Sequence, residues 1–361
     1  MSFQERFNGL ELPASADFHV HLRDGTMMET VTPTIRKGGV DTVYVMPNLV
    51  PPLTTPAQSL SYKSRLEAID PSVTYLMSLY LHPSITPEII REAKAAGITG
   101  VKSYPAGVTT NSAAGVVSYE AFYPVFEEME RQNMILNLHG EKPSGEDITV
   151  LNAEERFLPT LKEIHKRFPK LRIILEHCTT AAALKTVMEC GPTVAGTITA
   201  HHLFLTVDDW ASDPFCFCKP VAKLPSDREA LLKAAAANSP KIFLGTDSAP
   251  HPATAKRGGA DGKGKTVAGV FTQPYATQLA VGAFEKAIEK GWLKDNEVTV
   301  DVVRGFLGEN GRKFYGVPQS ESRIVLRKGE EKVVEAFASK GGELEVVPFR
   351  RGEPTWSVEW K

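Results

Sequence analysis

Short apolar runs rich in β-branched and aromatic residues recur along the chain, each followed by a stretch in which apolar residues return at i, i+3 and i+4. Eight of these runs read as strands: ADFHVH (16–21), TVYVMP (42–47), VTYLMSLYL (73–81), ITGVKSY (98–104), MILNLHG (134–140), LRIILEH (171–177), TVAGTITA (193–200) and KIFLGTD (241–247). Between them SYEAFYPVFEEMERQN, ERFLPTLKEIHKRFP and DREALLKAAAANSP carry the spacing of amphipathic helices. Eight βα units with no second cluster of strands predict an α/β chain folded as a closed (β/α)8 TIM-type barrel, not an open doubly wound sheet. No G-x-G-x-x-G follows the first strand, which removes the main support for a dinucleotide-binding alternative.

The pattern changes late in the chain. After TQPYATQLAVGAFEKAIEKG and DVVRGFLGENGRKFYG, the tail holds three short extended pieces, SRIVLRKG, KVVEAFAS and ELEVVPF. The expected division is a barrel over 1–319 and an extension over 320–361 packed on it, since about 40 residues bury too little surface to fold alone. KRGGADGKGK (256–265), rich in glycine and lysine, reads as an exposed loop after the eighth strand.

Composition narrows the partners. With 361 residues, 42% hydrophobic, 23% charged and a formal charge of −2, the chain reads as a soluble globular protein with neither nucleic acid nor a membrane surface as its partner. The first residues, MSFQERFNGLELPASAD, lack an apolar core and a basic flank, and no apolar run is long enough to cross a bilayer, so the expected address is cytoplasmic. The four cysteines show no paired C-x-x-C arms, which speaks against a zinc ribbon or a disulfide framework.

In a (β/α)8 barrel the chemistry sits at the C-terminal ends of the strands. His19 and His21 end the first predicted strand, His139 the fifth and His177 the sixth; His201 and His202 follow the seventh and His251 the eighth. A lone histidine is more often a hydrogen-bonded core or surface residue than a ligand, but clustering at one rim changes that balance. Alternation along a strand puts residues i and i+2 on one face, so His19 and His21 can bind one ion. Four imidazoles from three strand ends and the carboxylate of Asp247 from a fourth suit Zn²⁺, with Mn²⁺, Co²⁺ and Fe²⁺ also compatible by ligand type. The donor count exceeds one tetrahedral site and points to two ions. Lys102 ends the fourth strand among these donors, where an ammonium would be repelled; its free amine could react with CO₂ to give a bridging carbamate, the plainer alternative being a surface or phosphate-binding lysine. Arg23, two residues past His21, is placed by the same alternation toward the barrel mouth, where a guanidinium can grip a carboxylate bidentately. Asp24 reads as a brace for Arg23 or a cap on the following turn.

DFHVHLRDG, VMPNLVPP, GVKSYPAGVTTNS, NLHGE, LEHCT and FLGTDSAPH, in this order, resemble the dihydroorotase family of the amidohydrolase superfamily, in its compact monofunctional branch. H-x-H alone marks the superfamily; H-x-H-L-R-D-G with MPN and PAGVTTNS is far more specific. The resemblance implies a binuclear zinc centre: His19, His21 and Asp247 on the more buried ion, His139 and His177 on the more exposed one, and N-carboxylated Lys102 as the bridge. It also implies reversible cyclisation of N-carbamoyl-L-aspartate to (S)-dihydroorotate, with a bridging hydroxide as nucleophile in the hydrolytic direction and Asp247 as general base and acid. By the same resemblance Asn48 and His251 join Arg23 at the substrate carboxylate, and main-chain groups of Lys219 and of Ala268 or Gly269 meet the ring amide. The resemblance also implies that GVTTNS (107–112) is a mobile loop whose Thr109 and Thr110 reach the substrate on closing, the plainer alternative being an ordinary hydrophilic βα loop. A homodimer fits the resemblance.

Two rivals remain at this point. A dihydropyrimidinase or allantoinase would use the same metals on a ring without a carboxylate, and would leave Arg23 uncompensated. A catalytically inactive scaffold would be expected to have lost ligands, yet His19, His21, Lys102, His139, His177 and Asp247 are all present.

Overall fold

The computed structural model describes residues 2–259 and 261–361. After β1 (Glu11–Pro13), eight parallel strands lie side by side in chain order: β2 (Ser15–Val20), β3 (Val40–Val45), β4 (Thr74–Tyr80), β5 (Gly100–Ser103), β6 (Ile135–Leu138), β7 (Arg172–Leu175), β8 (Val194–Ile198) and β9 (Ile242–Leu244). A parallel bridge from Val20 to Ser248 joins the first of these to the end of the last, giving the TIM-type barrel that the repeated units predict.

The strands are shorter than the apolar runs that foretold them. At the mouth the backbone leaves the ladder, so His21 and His139 lie one residue past Val20 and Leu138, His177 two past Leu175 and Asp247 three past Leu244. The site thus begins where the sheet stops. Around the barrel, helices such as Pro56–Ile69, Pro87–Ala95, Ala153–Arg167 and Ala181–Glu189 bury one stripe each. Their starts are set locally: Thr86 and Thr180 accept from the main chain of Ile89 and Ala183, and Thr55 forms a capping box with Gln58.

Inside the barrel Phe18, Tyr44, Ile135, Ile174, Ala195 and Phe243 form a second apolar cluster, closed below by Tyr315. Tyr315 belongs to the short helix Asn310–Tyr315, and its ring stacks on Phe18 with centroids 4.6 Å apart. A Cβ at Gly311 would stand 2.1 Å from the Phe18 ring, so glycine is what lets this plug seat.

The tail pairs with the other end of the described chain. β10 (Arg323–Lys332) lies between β1 and β13 (Pro354–Trp360) in an antiparallel sheet, and β11 (Phe337–Ala338) pairs with β12 (Glu345–Val346). Trp356 is buried there, edge-on to Phe3 and donating from Nε1 to Glu285 at 2.9 Å. The 256–265 stretch departs from expectation at its first residue: Lys256 ends the helix Ala253–Lys256 and is buried, because main-chain carbonyls take its ammonium. Residue 260 of that stretch lies outside the described residues. Among the described residues no helix is long and apolar enough to cross a membrane.

Candidate active site

His19, His21 and Asp247 converge, with ligand atoms within 4.8 Å of one another and all three side chains buried. Asp247 Oδ1 stands 3.1 Å from Nε2 of His19 and 3.0 Å from Nε2 of His21. Regular alternation does not place these rings. Pairing between β2 and β3 shifts register between Asp17 and Val20, and the buried Asp17 carboxylate fixes the irregular stretch by accepting from the main chain of His19 at 3.2 Å. The same carboxylate accepts from Thr246 N at 2.8 Å and Thr246 Oγ1 at 2.6 Å, so it also holds the turn that presents Asp247.

His177 and His139 complete the cluster, their ring centroids 4.7 Å apart and that of His177 5.2 Å from His19. Three imidazoles are oriented from behind. His19 Nδ1 meets Glu176, His21 Nδ1 donates to Asn48 Oδ1 at 2.8 Å, and His139 Nε2 lies 2.8 Å from Glu141, which leaves the other nitrogen of each ring for a ligand. Glu176 is in turn bound by Asn137, whose side chain also contacts Tyr44 and Tyr315 at 2.9 Å each. These contacts form a column of polar groups from His19 down to the plug helix.

A metal ion fits these residues. His19 Nε2, His177 Nδ1 and Lys102 Nζ are buried without a hydrogen-bond partner, an outcome that buried polar atoms avoid unless something else binds them. Lys102 is wholly buried, its Nζ 3.9 Å from Glu176, and burial pushes its pKa down, which favours the free amine that carbamate formation requires.

The opposite side of the cavity is made of loops. Arg23 lies beyond β2 with φ 60°, so the strand-face argument from His21 does not apply; a left-handed turn brings it to the cavity instead. Its Nε donates to Pro250 O at 3.0 Å, and its Nη2 lies 3.1 Å from His251 Nε2. Burial and then the Arg23 charge push the His251 pKa down to about 2, so that ring is neutral at physiological pH. His177 and Asp247 share the positive φ of Arg23, at 41° and 49°. Such conformations cost energy in non-glycine residues and concentrate at functional sites.

Thr109 and Thr110 line the cavity, with Asn48, Lys219, Ala268 and Gly269 also in its wall. Lys219 Nζ donates to Val108 O at 2.9 Å, Asn48 Nδ2 to Thr110 O at 3.1 Å, and Asn111 Nδ2 to Asn48 O at 2.9 Å, so the loop lies closed. The space left at the centre of the cavity is about 20 Å³, room for one water.

Sequence reasoning did not single out Asp17, Asn137, Glu141 or Glu176. Glu176 and Glu141 sit inside the quoted LEHCT and NLHGE, where an acid beside a histidine was the available signal. Asp24 caps the helix Gly25–Val31 by accepting from Gly25 N at 2.7 Å, and it pairs with Arg65, not Arg23. His82 contacts Ser84, while His201 and His202 are buried beside Cys218.

Residues 11–290 match the amidohydrolase family. The chain is 51% identical to a probable dihydroorotase of Schizosaccharomyces pombe over 98% of its own length and 99% of that protein's. A crystal structure of Saccharomyces cerevisiae dihydroorotase in complex with 5-fluoroorotic acid superimposes with a TM-score of 0.90 at 46% identity, covering 98% of this chain and 99% of that one. A dihydroorotase structure from Campylobacter jejuni aligns with a TM-score of 0.84 at 31% identity, over 99% and 98% of the two chains. Identity at this level across whole chains, on a barrel whose rim carries this donor set, makes the chain a member of the amidohydrolase family and, within it, of the dihydroorotases.

Proposed function

We propose that this protein interconverts N-carbamoyl-L-aspartate and (S)-dihydroorotate plus water, the ring-closing step of pyrimidine (UMP) synthesis. One observation carries the reading: the Arg23 guanidinium, set beside a neutral His251, opens on the same small cavity as His19, His21 and Asp247. A ring bearing a carboxylate uses both halves of that cavity. Dihydrouracil or allantoin would leave the guanidinium without a carboxylate to balance its charge.

His19, His21 and Asp247 would hold a buried zinc ion, His139 and His177 a more exposed one, and Lys102, carboxylated on Nζ, would bridge them. Two zinc ions supply an activated water and a Lewis acid for the ring carbonyl. Arg23, with Asn48 and His251, anchors the substrate carboxylate and so fixes which ring carbonyl faces the donor cluster. Main-chain groups of Lys219, Ala268 and Gly269 meet the ring amide, and Thr109 and Thr110 close the lid. Asp247 takes the proton released as water adds to the carbonyl and passes it to the departing ring nitrogen. The family resemblance supports a homodimer working in the cytoplasm, which sedimentation and cell fractionation test.

The deciding assay follows loss of ultraviolet absorbance with dihydroorotate and compares turnover of dihydrouracil and allantoin by product analysis. Turnover of dihydroorotate alone is expected, with about two zinc ions per chain. Preference for a ring without a carboxylate would overturn the assignment, and full activity with one ion and no carbamate would overturn the bridged centre.

A further inference from the structure

Lys256 has no part in the scheme above, yet it is 3% exposed. Its ammonium donates to three main-chain carbonyls, Phe217 O at 2.9 Å, Val267 O at 3.0 Å and Gly269 O at 2.7 Å. All three N–H groups are spent on carbonyls, and no carboxylate is among the partners. Burying an ammonium without a counter-ion is costly, so the gathered carbonyl dipoles are what hold it.

These three carbonyls come from two segments that line the substrate cavity, one ending at Lys219 and the other spanning Ala268 and Gly269. Gly269 N donates to Phe217 O at 3.0 Å, so one carbonyl joins Lys256 to both segments. A Cβ at Gly269 would stand 2.4 Å from Ala249 O and 2.8 Å from the His251 ring, which shows how tightly this wall is drawn in. In a trans peptide the C=O and N–H point to opposite edges. Pinning Val267 O to Lys256 therefore turns the Ala268 N–H away from the lysine, and that N–H has no acceptor among the described residues. Ala268 O meanwhile faces His251 Nε2 at 2.9 Å and Thr110 Oγ1 at 3.5 Å.

We propose that Lys256 is a positioning residue for substrate recognition: by gathering the carbonyls of Phe217, Val267 and Gly269, it aims the Ala268 amide N–H at the cyclic amide of the substrate. This rests on the functional reading above. The lysine touches neither the substrate nor the donor cluster, so its loss weakens ring binding more than it slows the chemical step.

Lys256→Met and Lys256→Gln are to be compared with the wild type for KM, kcat, zinc content and binding of orotate as a non-reacting ring. For Lys256→Met we expect KM for dihydroorotate and the Kd for orotate to rise together by about tenfold, the loss of one well-made hydrogen bond. In the same variant kcat should stay within about threefold, with zinc content unchanged, and Lys256→Gln, which keeps an N–H donor, should fall between it and the wild type. Unchanged KM and orotate affinity in a folded variant would overturn the proposal, as would equal loss of kcat and zinc. Should Lys256→Met not fold, Lys256→Gln decides by the same measures. A wild type inactive on dihydroorotate would sink the functional reading instead, a result seen before any variant is made.

Discussion

On one side of the cavity, His19 stands in β2 and His21, His139 and His177 follow their strands within two residues; on the other, Thr109, Thr110, Lys219 and Ala268 stand in loops. The first group is backed by carboxylates and an amide, with Glu176, Glu141 and Asn48 each fixing one ring. The second is tied by single bonds to main-chain carbonyls, such as Lys219 to Val108 and Thr110 to Ala268. Bonds of that kind contribute about 0.5–1.5 kcal/mol each. The donor side is therefore the more firmly braced platform, and the loop side a cover held by separate, weaker bonds. Substitutions should sort by side.

The largest loss is expected from Lys102→Ala, which would remove the proposed bridge between the two ions. Activity should fall to background and recover in part with small carboxylic acids, measured as dihydroorotate turnover; full unrescued activity would show that the platform does not depend on this lysine. Glu176→Gln should come next. Freeing His19 from behind is expected to weaken zinc binding by roughly 10–100-fold, read by titration with a chelator. Arg23→Ala acts on the substrate side without touching the platform. It should raise KM by about ten- to a hundredfold, corresponding to ~1.5–3 kcal/mol for a charged contact, with zinc content unchanged. The smallest effect belongs to the cover. Lys219→Met, which cuts the bond to Val108, should raise KM by about two- to fivefold and expose the 107–112 loop to protease, while a kcat that falls as far as in Glu176→Gln would erase the distinction between the two sides.

The two sides were also unequally legible in the sequence. Platform residues declare themselves because strand ends are set by local apolar runs, and histidines at such ends can be counted. Even there the backbone carried a surprise: the register shift after Asp17 directs the first two histidines, as a left-handed turn directs Arg23 on the opposite side, where simple alternation was the available argument. Glu176 and Asn137 escaped because their meaning comes from partners on other elements, His19 in β2 and Tyr315 in the plug helix, which no periodicity reveals. Lys256 reads as an exposed loop lysine until the carbonyls of residues 217, 267 and 269 are seen around it. The pairing of β1 with β10 joins residues more than 300 positions apart, a contact that only the folded chain expresses.

The column from His19 through Glu176 and Asn137 to Tyr315 bears on how such a site could be moved to another protein. Rim loops are the usual portable part of a barrel, and grafting them onto a foreign scaffold would carry over every proposed substrate contact. It would also strand His19 without the floor-to-rim tether that aims it. A transplant that hopes to keep the chemistry must bring the middle of the barrel and its plug helix along, because here the foundations belong to the active site as much as the roof does.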